Sequence, residues 1–139
     1  MTTAQTTTAR DAAEALQEFF TRFGSGDRSG ALELFGEETD FEVPGAAAVP
    51  WTGRRRTREE IGAFLDACWT LVDTEAFAVD RILADGGHAV ALGSFTHRVK
   101  STGKPFTSSF ALHIEVRDGL IRGYRMHEDS HAALEAFTA

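Results

Sequence analysis

The chain predicts an α+β domain, with helices packed on one face of a curved, mostly antiparallel sheet. Apolar residues recur at helical spacing up to about Trp69. From Glu75 onward they alternate with period two, and glycine-bearing turns join the alternating runs. Helices followed by a strand meander define that class. The first ten residues, "MTTAQTTTAR", are polar and unpatterned and are expected to form a disordered leader, which leaves 11–139 as one domain.

Leu16, Phe19, Phe20 and Phe23 stand at i, i+3, i+4 and i+7, the stripe of an amphipathic helix starting near Asp11 and stopped by "GSGD". A short second helix carries Ala31, Leu32, Leu34 and Phe35. "TDFEV" alternates as a strand that Pro44 and Gly45 end, and "GAAAVPWTG" reads as an irregular loop. The basic cluster "GRRRTR" reads as a solvated loop. Thr57 and Glu60 then spell a capping box for a third helix, with Ile61, Phe64, Leu65, Cys68 and Trp69 on its buried face. Four strands follow in "EAFAVDRIL", "HAVALGSFTHRVK", "PFTSSFALHIEV" and "LIRGYRMHE", separated by "ADGG", "STGK" and "RDG". A last short helix, "HAALEAF", is capped by Asp129 or Ser130.

Composition narrows the function. A formal charge of −7 over 139 residues argues against a general nucleic-acid binder, which needs a basic face. No apolar run is long enough to span a bilayer, no secretory core is visible, and a single cysteine excludes an internal disulfide; a cytoplasmic location is expected. Cys68 sits on a buried stripe and reads as a small core hydrophobe. Eleven Phe and two Trp suit an apolar pocket.

"HEDSH" (His127 to His131) is a literal H-E-x-x-H, the spacing with which one helix turn presents two zinc-ligating histidines. Here a strand runs into His127 and the helix starts only near Asp129, so the two imidazoles need not converge and no metal is expected. Strand parity instead puts Tyr124, Met126 and Glu128 on one face, with Arg125 and His127 on the other. By the same parity His113 faces outward, opposite to Leu112, and His88 reads as part of a turn.

The element order, together with "FGSGDRSGALELFGEETDFEVPG", "WTG…REEIGAFL", "STGKPF" and "VRDGLIRGYRMHEDS", resembles the nuclear transport factor 2-like superfamily, in its ketosteroid isomerase and SnoaL-like polyketide cyclase branches. The resemblance covers roughly Asp11 to Phe137. It implies a cone-shaped (cystatin-like) α+β barrel: three helices over a strongly bent sheet, an internal cavity for a small apolar molecule, and homodimers formed through the outer face of the sheet. It also implies where catalytic groups would stand. Phe19 occupies the position of the isomerase's oxyanion tyrosine, Val43 that of its proton-shuttling aspartate, and Leu112 that of its protonated aspartic acid. None of these can do that chemistry, which needs a carboxylate base and two donors. Leu112 also replaces the polyketide cyclases' acid/base aspartate, whereas His97 matches their histidine on the preceding strand. Met126 replaces the last-strand aspartate of the limonene-epoxide hydrolases.

On this resemblance the hollow is lined by Phe95 and His97, by Ser108, Phe110 and Leu112, and by Tyr124, Met126 and Glu128. Val43, Phe41 and Phe19 form its floor, and Trp51 and Trp69 stand near its mouth. His97, Glu128 and Tyr124 are the expected catalytic groups, and the other ten residues are expected to bind substrate. The expectation is a cyclase or isomerase of an apolar, polyketide-like or polycyclic substrate, acting mainly by positioning and needing no cofactor. A non-catalytic hydrophobic-ligand carrier of the same fold is the alternative, and a pure interaction domain is the third class.

Overall fold

The computed structural model describes residues 10–139. The expected leader, 1–10, falls outside the described residues except for Arg10. Helix α1 (Ala12–Gly24) opens with a complete capping box, in which the Asp11 carboxylate accepts from the Glu14 amide at 2.8 Å and Glu14 accepts from the Asp11 amide at 3.1 Å. Helix α2 (Arg28–Glu33) is capped by Asp27 and leads into strand β1 (Phe35–Val43). Helix α3 (Arg58–Thr70) starts on the predicted Thr57–Glu60 capping box. Strands β3 (Val72–Asp85), β4 (His88–Val99), β5 (Pro105–Arg117) and β6 (Leu120–His127) make the meander, and helix α4 (Ser130–Phe137) follows with Asp129 as its cap.

One correction concerns "GRRRT". It forms strand β2 (Gly53–Thr57), which pairs antiparallel with β1. The sequence hides it because the arginines remove all apolar alternation. What holds it is charge: Arg54 reaches Glu42 at 3.5 Å and Arg56 reaches Glu38 at 3.6 Å, across strands. Such exposed pairs contribute at most about 1 kcal/mol each. Their main effect is on pairing, because a charged edge resists further strand addition.

The sheet order is β2-β1-β6-β5-β4-β3, with β1 and β6 parallel and every other pair antiparallel. It bends strongly but does not close into a barrel. Register shifts in β1, in β3 and between β5 and β6 mark the bulges that add curvature. Gly93 serves the same bend: a Cβ there would collide with the Ala78 carbonyl oxygen and the Phe110 ring. The concave face and helices α1 and α3 enclose one apolar core containing Leu16, Phe35, Phe41, Ile61, Leu65, Leu112 and Ile114. Burying each such side chain contributes roughly 1.5–3 kcal/mol, several times what any surface ion pair gives.

Candidate active site

The core is not filled to its centre. A cavity of about 350 Å³ opens between α1, α3 and the concave sheet. Helical spacing delivers one wall: Phe19, Phe20 and Phe23 from α1, then Phe64, Cys68 and Trp69 from α3. Strand parity delivers the other. Thr74 and Phe77 of β3 stand opposite His97 and Phe95 of β4, and Leu112 of β5 stands opposite Met126 of β6. Val43, Trp51, Val72, Tyr124 and Glu128 also line the cavity. Phe77 is 48% exposed and Thr74 and Gly24 are exposed, so the chamber meets solvent between the end of α1 and the start of β3.

His97, Glu128 and Tyr124 bring polar atoms to this mostly apolar space. The imidazole of His97 stacks on Phe95 with centroids 4.2 Å apart and shares a hydrogen bond from Nδ1 to the Thr74 hydroxyl at 3.0 Å. Among the described residues Nε2 has no protein partner. Burial lowers the pKa of His97 from 6.5 to about 4, so near neutral pH the ring is uncharged. At rest it is therefore a proton acceptor, and it has a proton to give at Nε2 only after taking one up.

Glu128 follows the last residue of β6. The Asp129 amide donates to Ser108 Oγ at 2.8 Å, which fixes the chain at this turn while Glu128 points inward. Its Oε2 accepts from the Trp51 indole at 2.7 Å, and Oε1 has no protein partner among the described residues. Burial raises the pKa of the carboxyl; the Trp51 hydrogen bond opposes that and the nearby Asp129 adds to it. Tyr124 is only 4% exposed and stacks on Phe41 at 4.1 Å. Its hydroxyl finds no protein partner among the described residues, and burial pushes its pKa well above the usual value. A buried hydroxyl left unpaired costs on the order of 1–3 kcal/mol, which a ligand or water in the cavity would recover.

Of the thirteen residues expected at the site, ten line the cavity: His97, Glu128, Tyr124, Phe19, Val43, Trp51, Trp69, Phe95, Leu112 and Met126. Phe41, Ser108 and Phe110 do not. Phe41 lies behind Tyr124, and Phe110 backs the wall, packed against Phe20, Phe77 and Phe95. Ser108 uses its hydroxyl on the Asp129 amide and the Ser109 carbonyl. Trp51 is not at the mouth either. It is 3% exposed, packed edge-on to Phe137 of α4 at 5.1 Å. Trp69 is half-buried and donates to the Phe23 carbonyl at 3.1 Å. Cys68 is a wall residue rather than a filled-core residue, and burial holds its thiol far above its ordinary pKa. Thr74, which the sequence does not mark as a site residue, also lines the cavity and bonds His97. Strand β3 begins at Val72, three positions before its expected start at Glu75, and a register shift between Thr74 and Ala76 brings Thr74 and Phe77 to the same face.

The remaining histidines lie elsewhere. His88 Nδ1 and His113 Nε2 meet at 2.9 Å, so His88 belongs to a cross-strand pair and not only to a turn. His127 is exposed at the end of β6, and His131 lies on α4, where it pairs with Glu135 at 3.5 Å. The two histidines of the H-E-x-x-H string therefore sit on different elements.

The SnoaL-like domain model matches residues 16–124, and the chain belongs to that family. No curated protein matches it. Among solved structures it is similar to a nuclear transport factor 2-like protein from Burkholderia xenovorans LB400, with 26% identity, a TM-score of 0.84, and coverage of 91% of this chain and 95% of that one. A Bacillus subtilis protein assigned provisionally as an isomerase shows 26% identity and a TM-score of 0.77, with 91% of each chain covered. TerC, co-crystallised with polyporic acid, shares the fold at 19% identity and a TM-score of 0.79, covering 91% of this chain and 98% of its own. No helix among the described residues is long and apolar enough to cross a membrane.

Proposed function

We propose that the protein is an enzyme that isomerises or cyclises a small, largely apolar molecule inside this cavity. The observation that carries the reading is the set of unsatisfied polar atoms, His97 Nε2, Glu128 Oε1 and the Tyr124 hydroxyl, in an otherwise aromatic chamber. In the tautomer whose Nδ1–H donates to Thr74, the Nε2 lone pair of neutral His97 takes a proton from the substrate and returns it elsewhere. Glu128 anchors the substrate's polar group, and Tyr124 donates to an oxygen. The walls hold the rest of the molecule in a reactive fold. The provisional isomerase assignment of the Bacillus relative supports a small-molecule reading.

Isomerisation and ring closure leave mass unchanged, which gives a direct test. Wild-type protein incubated with a metabolite extract should shift the chromatographic retention of one compound at constant mass, and His97→Ala should not. A compound that co-purifies unchanged and never converts would instead make the protein a carrier, the reading favoured by Phe19, Val43 and Leu112 at the isomerase positions. The outer sheet face exposes Leu83 and Leu92, at 52% and 38%, and is the surface on which a homodimer would form. Sedimentation of Leu92→Glu as a monomer, against a wild-type dimer, tests that. Work in the cytoplasm completes the proposal.

A further inference from the structure

The cavity wall contains one carboxylate and many rings but no lysine or arginine. The guanidinium of Arg55 lies 5.5 Å from the ring centre of the wall residue Phe64 but does not itself line the cavity. Its Nη1 donates to the Trp51 and Thr52 carbonyls and its Nη2 to that of Pro50. A carboxylate ligand would therefore meet Glu128 with no cation beside it. A neutral apolar ligand that displaces water would leave Glu128 Oε1 without a partner, which is costly for a buried polar oxygen.

We infer that the ligand is a hydrophobic amine, bound as its ammonium between the free oxygen of Glu128 and the surrounding ring faces. Aromatic walls attract such a cation through their quadrupoles, more strongly when it is desolvated. Trp51 both donates to Glu128 and turns its ring into the same chamber, so carboxylate and aromatic surface are adjacent. His97 is uncharged near neutral pH and does not repel the ligand. The formal charge of −7 draws cations to the protein as a whole. The inference rests on reading the cavity as a small-molecule site and names the class of its substrate. Glu128 is then the counter-ion, and the proton transfer stays with His97.

Three probes of equal heavy-atom count and similar shape separate the charge from the apolar body: N,N-dimethyl-3-phenylpropylamine, 5-phenylpentan-2-one and 4-phenylbutanoate. Calorimetric titration near neutral pH should find the amine bound about tenfold more tightly than the ketone, with the acid weakest. Glu128→Gln should bring the amine down to the ketone's affinity and leave the ketone unchanged, which also shows that the variant is folded. A ketone or acid that binds wild type as tightly as the amine overturns the inference, as does an amine preference that survives Glu128→Gln. If the variant does not fold, the wild-type order of the three probes decides alone. Ketone binding without amine preference sinks only this inference, whereas failure of all three probes to bind sinks the cavity reading with it.

Discussion

Strand β4 carries two histidines, His88 and His97, whose odd separation turns them to opposite faces of the sheet. Outside, His88 meets His113 ring to ring at 5.2 Å, in solvent. The pKa of His113 is lowered by partial burial and then by the neighbouring His88. Inside, His97 is lowered by burial alone, with one nitrogen held by Thr74. One residue type on one strand thus gives a surface pair and a cavity base, and parity decides which. The difference shows that the chemistry of this fold is set by facing, since the strands themselves are continuous across both roles.

The largest effect should come from removing the inner wall. Phe95→Ala deletes the ring that His97 stacks on and is expected to cost about 3–5 kcal/mol in urea unfolding. A loss no larger than that of an outer-face substitution would break the contrast between the faces. Next, His97→Ala should cut turnover of the true substrate at least about tenfold, while His88→Ala leaves it unchanged; equal effects would erase the functional distinction.

A third measurement sharpens the comparison through pH. His97 has its folded pKa depressed from 6.5 to about 4, so its contribution to stability is present above pH 6.5 and is lost as pH falls towards about 4. Wild type should therefore lose more stability across that window than His97→Gln, as read by denaturant midpoints at each pH. Glu128 works in the opposite sense, because its folded pKa is raised, and comparing the two proteins cancels its effect. The smallest effect is expected at the outer pair: His88→Gln should change stability at neutral pH by under about 0.5 kcal/mol.

Much of this was legible in the sequence, for identifiable reasons. Capping boxes at Asp11–Glu14 and Thr57–Glu60 are local, so their hydrogen bonds follow from spacing alone; the second was read directly, and the first only as a helix start near Asp11. Parity along β4 and β6 placed Phe95, His97, Tyr124 and Met126 on the concave face. Facing, however, does not fix depth. Phe41 and Phe110 share that face but stand behind other rings, and Ser108 turns its hydroxyl to the backbone. Strand β2 was invisible because its pairing depends on Glu38 and Glu42, which are distant in sequence. The Trp51–Glu128 hydrogen bond spans 77 positions, and no local pattern announces it.

Helix α4 secures the residue that holds the buried carboxylate. Trp51 packs on Phe137, the Ala136 carbonyl accepts from Thr102, and the Thr138 carbonyl accepts from Lys104. These ties dock the last helix against Trp51 and against the turn between β4 and β5. The Trp51 indole that donates to Glu128 is thus braced by the helix that follows that carboxylate directly in the chain.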